Sequence, residues 1–279
     1  MRTQIDNILM SSMILWMDNK ILSKGEAFTN YGSLFYESNN SFNDLKNFTL
    51  PFRQIVADSS ITNANILSGV YIDGEYSAIG ENGFSGIDPY KSTIYLNDNI
   101  NYNEISGNYA VKDFNIYLAS DTEEKILFET QYKIRPKTSQ NPTGISNDSI
   151  TYPAIFLKHN YSRNKPFSFG GEDMTSINIR AYILADNLFS LDAVNSILRD
   201  TNSTYVPLIN DFPTDSFGCI NNGYYNYHSL YDPNNISNMG FYISEVNISK
   251  LDRLDNELNP KTYSSIIYFT LENIRHPRS

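Results

Sequence analysis

The stretch PFSFGGEDMTSINIRAYILAD, Pro166–Asp186, sets a double glycine and two acids in front of a run that alternates like a strand. Ile177, Ile179, Ala181 and Ile183 fall on one face of that run, with Asn178, Arg180 and Tyr182 opposite, which is the period of a half-buried strand. Glycines that cradle a phosphate must open a helix, so that backbone amides and the helix dipole face the anion. Gly170 and Gly171 open a strand instead, and Glu172 and Asp173 would repel the phosphate. The pair therefore reads as a backbone permit for positive φ, turning the chain into a central strand with Phe167 and Phe169 packed beside it.

Downstream, SLDAVNSILRDTNS carries a helical stripe of Leu191, Val194, Ile197 and Leu198, with Ser190 as N-cap, Asp192 in the first turn and Arg199 in the last. This predicts a helix from Ser190 to Asp200. Strands are expected at 154–160, 241–248 and 265–273, so the second half reads strand, strand, helix, strand, strand. Upstream, Asp73-Gly74 and Asn82-Gly83 are tight-turn dipeptides between the short runs 70–72, 75–79 and 93–96. Further strands are expected at 111–118 and 125–134, extended structure at 28–36, and a short helix or strand at 5–17. The fold class is α+β and β-rich: an N-terminal antiparallel β-meander or sandwich, then an antiparallel sheet with one packed helix. The loop-rich stretch 135–153 divides a β-rich domain, 1–134, from an α+β domain, 154–279, or is one long loop inside a composite domain.

Composition narrows the function. The chain has 279 residues, 41% of them hydrophobic, which suffices for a sizeable core. Its 21 Tyr and 16 Phe against one Trp favour pleated surfaces and contact faces. A net charge of -10 with no basic cluster repels phosphate backbones and speaks against sequence-specific nucleic acid contact. The N-terminal apolar patch is preceded by Asp6 and closed after a short span by Asp18, which fits neither a signal peptide nor a membrane helix. Cys219 stands alone, as expected in a reducing compartment, and its Gly/Asn-rich surroundings offer no base to activate a thiol.

Chemistry-bearing motifs give little. No Walker loop, no Gly-x-Gly-x-x-Gly and no Gly-x-Ser-x-Gly occurs. His159, His228 and His276 are scattered, and Asn97–Asn101 reads as a turn rather than a calcium loop. The expectation is a non-enzyme without cofactor or metal. In FGCINNGYYNYHSLYDPNNIS, the tyrosines Tyr224, Tyr225, Tyr227 and Tyr231 are candidates for a protein interface or for stacking on sugars, unless they pack on their own sheet. Phe167 and Phe169 join them as candidate interface residues.

With SGVYIDGEYSAIGENGFSGID, PFSFGGEDMTSINIRAYILADNLFSLDAVNSILRD, FYISEVNISKL and SSIIYFTLENI in view, the chain resembles virion structural proteins of tailed bacteriophages in the neck or tail-completion and tail-terminator group. That resemblance implies an antiparallel sheet crossed by a helix, with strand 175–184 and helix 190–200 as its parts, and assembly into a homo-oligomeric ring at the head–tail connection. It implies other virion proteins as partners, no membrane, synthesis in the host cytoplasm and residence in the virion. The small terminators have no counterpart of the β-rich first half. The competing expectation is a carbohydrate-binding or adhesin-type β module, suggested by the meander and the tyrosine loop.

Overall fold

The computed structural model describes residues 4–42, 45–50, 54–98, 101–128, 133–134, 151–167, 171–215, 219–231, 240–251 and 262–275. Helix α1 (Ile5–Gly25) is followed by strands β1 (Phe28–Leu34), β2 (Tyr36–Phe42), β3 (Leu45–Thr49), β4 (Gly69–Ile72), β5 (Glu75–Ala78), β6 (Phe84–Asp88), β7 (Thr93–Asn97) and β8 (Ile105–Lys112). Then come β9 (Asn115–Leu118), helix α2 (Glu123–Phe128), β10 (Lys133–Ile134), β11 (Thr151–Tyr152), β12 (Ala154–Pro166) and β13 (Asp173–Ala185). Helix α3 (Leu188–Arg199), β14 (Tyr205–Pro207), β15 (Gly240–Leu251) and β16 (Tyr263–Arg275) complete the order. The architecture is α+β and β-rich, as the sequence pattern predicts.

β1 to β8 form a sandwich of two four-stranded antiparallel sheets, ordered β1-β8-β4-β5 and β2-β3-β7-β6. Phe48, Val70, Phe84, Ile94, Leu96 and Tyr109 fill the space between them. The turn dipeptides behave as their chemistry requires: Asp73 and Gly74 take φ of 49° and 88°, and the β4–β5 hairpin closes on them. The expected extended segment 28–36 is divided between the sheets at Phe35. Its side chain is buried in the seam and its N–H donates to the Ile105 carbonyl at 2.8 Å.

The second unit is a six-stranded sheet ordered β14-β15-β16-β13-β12-β9, in which only β9 runs parallel to its neighbour. The alternation read in 177–183 holds: Ile177, Ile179, Ala181 and Ile183 join Ile267, Phe269 and Leu271 in the core beneath α1 and α3. The opposite face is apolar at one end, where Phe156, Tyr182, Leu184 and Ile266 are covered by Ile126 of α2. α3 begins earlier than predicted. Asn187, not Ser190, is the N-cap, its side-chain oxygen accepting from the Ser190 N–H at 2.7 Å, and this leaves Leu188 and Phe189 on the first turn facing solvent.

Two expected elements come out differently. Residues 123–128 are helical where a strand from 125 was expected, because Thr122 caps the Lys125 N–H and Glu123 and Glu124 occupy the first turn, where the helix dipole favours acids. The expected strand 111–118 is two strands in two different sheets, broken at Asp113 and Phe114.

That break redraws the domain organisation. α1 and β9 belong to the core and sheet of the second unit, so 28–112 is an insertion within an α+β unit built from 5–25 and the segments after 115. This differs from the division into 1–134 and 154–279, and most of the expected linker, 135–150, lies outside the described residues. The entry and exit of the insertion meet where the Asp113 N–H donates to the Ala27 carbonyl at 2.8 Å. α1 is also longer than the short element expected, and its buried residues, from Leu9 to Leu22, run round the helix rather than along one stripe.

Gln54 fastens the insertion to the sheet. Its buried side chain donates to the Ile116 carbonyl at 2.7 Å and accepts from the Ile116 N–H at 2.8 Å, so an amide group takes the place of a neighbouring strand for β9. Its own carbonyl accepts from the Lys112 N–H at 3.2 Å. Gln54→Ala strands both polar groups of Ile116, with an expected loss of roughly 2–4 kcal/mol. Urea unfolding measures it, and a loss under about 1 kcal/mol would contradict the clamp.

Candidate functional site

The tyrosine loop leads to the most unusual chemistry in the molecule. Residues Asn221–Gly223 and Tyr227–Ser229 each form a single 3-10 turn, and between them Tyr225 runs parallel to Asp58. The Tyr225 N–H donates to the Ala57 carbonyl at 2.9 Å, and the Ser59 N–H donates to the Tyr225 carbonyl at 2.7 Å. Tyr225 and Tyr227 are 7% and 3% exposed, members of the main core rather than of a surface. This corrects the expectation for those two. Tyr231 is half-buried and meets Tyr227 edge-on at 5.5 Å, so Tyr224 alone of the four is well exposed.

Around this loop lies a buried polar network. Asp58 is fully buried: Oδ1 accepts from the N–H groups of Ser60 and Tyr227, both at 3.0 Å, and Oδ2 accepts from Asn19 Nδ2 at 2.9 Å. Immediately before Asn19 on α1, Asp18 Oδ2 sits 2.7 Å from Lys112 Nζ, and both side chains are almost inaccessible. Burial raises the Asp18 carboxyl above its ordinary range, Lys112 pulls it back, and the nearby Asp58 adds to the rise. Lys112 Nζ also lies 5.4 Å from the centre of the Tyr90 ring. The network joins α1, the edge of the sandwich and the tyrosine loop. Its carboxylates are occupied by donors from the chain itself, which makes it a brace.

Sequence reading missed this site because its parts come from 18–19, 54–60, 90, 112 and 225–227. The available signal was Asp18 itself, a charge inside an apolar helix.

The remaining candidates sit elsewhere. Phe167 is 55% exposed, which corrects its expected packing beside β13, and Phe169 and Gly170 lie outside the described residues. Gly171 has φ of +83°, the positive value read from the sequence, and the Phe167 N–H donates to the Glu172 carbonyl at 2.9 Å. His159 Nε2 is 3.8 Å from Asp6, His228 is exposed on a 3-10 turn, and His276 lies outside the described residues. Among the described residues no group of three or more His, Cys, Asp and Glu converges, and no helix is long and apolar enough to cross a membrane. Burial pushes the Cys219 thiol up to about 12, with Asp215 and Asp88 adding to the rise.

Several surfaces stand open. On the outer face of the sheet containing β4, Leu34, Ser106, Tyr71 and Tyr76 form one row across four strands, and the rings of Tyr71 and Tyr76 meet at 5.5 Å. On the six-stranded sheet, β9 covers β12 only over Ala154–Leu157, and β14 covers β15 only over its first three residues. Compared with known proteins, the chain matches no family model and no curated sequence.

Lys112→Met leaves Asp18 buried without its cation, with an expected loss of about 3–5 kcal/mol that Asp18→Leu in the same chain largely restores. A double-mutant cycle by chemical denaturation measures the coupling. Cys219, held as a thiol, is expected to react with iodoacetamide at pH 8 at least ~10-fold more slowly in the folded chain than in the unfolded one. Mass spectrometry of timed samples reads that ratio.

Proposed function

We propose that the chain is a non-enzymatic structural subunit of a tailed-phage particle, a neck or tail-completion protein that assembles with its own copies into a ring at the head–tail junction. The observation that carries this reading is the six-stranded sheet with two unlike open edges. Among the described residues, no strand pairs with the outer side of β12 beyond Leu157, or with the outer side of β15 beyond Tyr242. Unlike surfaces on one protomer meet head to tail, and such contacts close into rings when the rotation between neighbours allows it. Arg163, Lys165 and Pro166 guard the β12 edge against indiscriminate strand addition, as expected of a protein that must stay soluble before assembly. The acidic net charge suits contact with protein neighbours better than with nucleic acid.

Residence in the virion and synthesis in the host cytoplasm belong to the same proposal. The carbohydrate-binding reading loses support from the tyrosine loop, since Tyr225 and Tyr227 are in the core; its remaining platform is the Tyr71–Tyr76 pair.

Sedimentation velocity and negative-stain images of the purified full chain test the assembly reading. The expected result is a cyclic oligomer of fixed subunit number. A strict monomer at every concentration, absent from purified particles, overturns it, and glycan-array binding that disappears in Y71A/Y76A would favour the alternative.

A further inference from the structure

The hairpin β12–β13 carries different chemistry at its two ends. At the turn end, β12 leaves the core after Leu157 and every residue from Asn160 to Pro166 is exposed. Tyr161, Arg163 and Lys165 stand opposite Asn178, Ser176 and Met174 on β13, so the aromatic ring and the two cations share one face. Tyr161 is 47% exposed and Phe167, at the tip, 55%. Arg163 and Lys165 form no ion pair among the described residues.

At the other end, where β12 starts and β13 stops, lies a cleft of about 450 Å³. The sandwich supplies Tyr31, the crossing back from it supplies Asp113, the chain just before α3 supplies Asp186, and one face of α3 supplies Phe189, Ala193 and Ile197. Phe189 is 85% exposed at its rim, and among the described residues no Lys, Arg or His lines it. The cleft thus sets two acids among apolar and polar side chains, and the arm is aromatic with two cations. Along β12, Tyr161, Arg163 and Lys165 lie roughly 26–40 Å from Pro153 at the cleft at ordinary strand rise, so an arm cannot reach the cleft of its own chain.

We infer that the occupant of the cleft is the arm of a second copy: Arg163 and Lys165 meet Asp186 and Asp113, while Tyr161 and Phe167 pack on Phe189 and Tyr31. This rests on the proposed homo-oligomer and names its contact. The contact is heterologous, plug to socket, and repeats from copy to copy until it closes. Exposed charges at its rim make it salt-sensitive, since screening at physiological ionic strength already acts over about 8 Å.

Charge reversal tests it on the full chain. R163E/K165E is expected to weaken self-association at least about tenfold, D186K to do the same, and R163E/K165E/D186K to recover most of the loss, because reversed arm and reversed cleft again match. F189A, at an exposed position, is expected to weaken association without altering the thermal melt. Sedimentation velocity reads assembly, and circular dichroism confirms that each variant is folded. An oligomer unchanged by R163E/K165E and by D186K overturns this contact while leaving the proposed assembly role standing. A wild-type chain that is monomeric throughout overturns both. Variants that keep the homo-oligomer yet lose binding to another virion protein assign the arm to that protein and overturn the inference.

Discussion

Asp18 and Lys112 face each other at 2.7 Å in a place where neither has water, one on the N-terminal helix and the other on the last strand of the sandwich. α1 is covered on one side by the six-stranded sheet, through Leu9, Met13 and Trp16 in the main core, and on another by the sandwich, where Leu22 packs with Val56 and Ala110. A helix apolar round most of its circumference must be covered on every side. A carboxylate within that covering must be met by a cation or be neutralised. The sandwich supplies the cation, and Asp58 ties the adjoining segment to Asn19 and to the tyrosine loop. A half-made version of this network is costly, which penalises other placements of the two units. The ion pair acts more on specificity of arrangement than on net stability.

That placement matters for the outer surfaces. The cleft draws Tyr31 from the sandwich and Asp186 and Phe189 from the sheet unit, so its shape depends on how the units are set. A chain braced in this way would lose little conformational freedom in the proposed assembly, where modest contacts would then suffice.

Parts of the fold were legible for definite reasons. Period-two alternation marks 177–183 because that strand is apolar on one face and mixed on the other, and Asp73-Gly74 marks a hairpin because few dipeptides accept two positive φ values. The α3 stripe was visible, but its start was not, since Asn187 and Ser190 are both good caps and the choice depends on how the chain leaves β13. α1 gave no stripe because it has almost no exposed face. The strand expected at 111–118 concealed a change of sheet, which local pattern cannot register when both halves are apolar. The tyrosines misled because a ring with a polar tip suits a core network as well as an interface: Tyr224 and Tyr225 are adjacent and point to opposite fates. Asp18, Asp58, Gln54 and Lys112 were unreadable as a group because only tertiary structure brings them together.

The insertion of the sandwich into the α+β unit also orders events during synthesis. The ribosome makes α1 before the sandwich and the sheet, yet Met13 and Trp16 share their core with Ile267 and Phe269 of β16. The sandwich has a core of its own and the contiguous residues to complete it, so it is able to fold while most of the sheet is still unmade. α1 meanwhile keeps an apolar surface without its final cover, and closing the unit requires contacts far apart in sequence, which slows that step. A sandwich completed before the sheet would already offer α1 part of its final cover, Val56 and Ala110 against Leu22 and Lys112 against Asp18, ahead of β16.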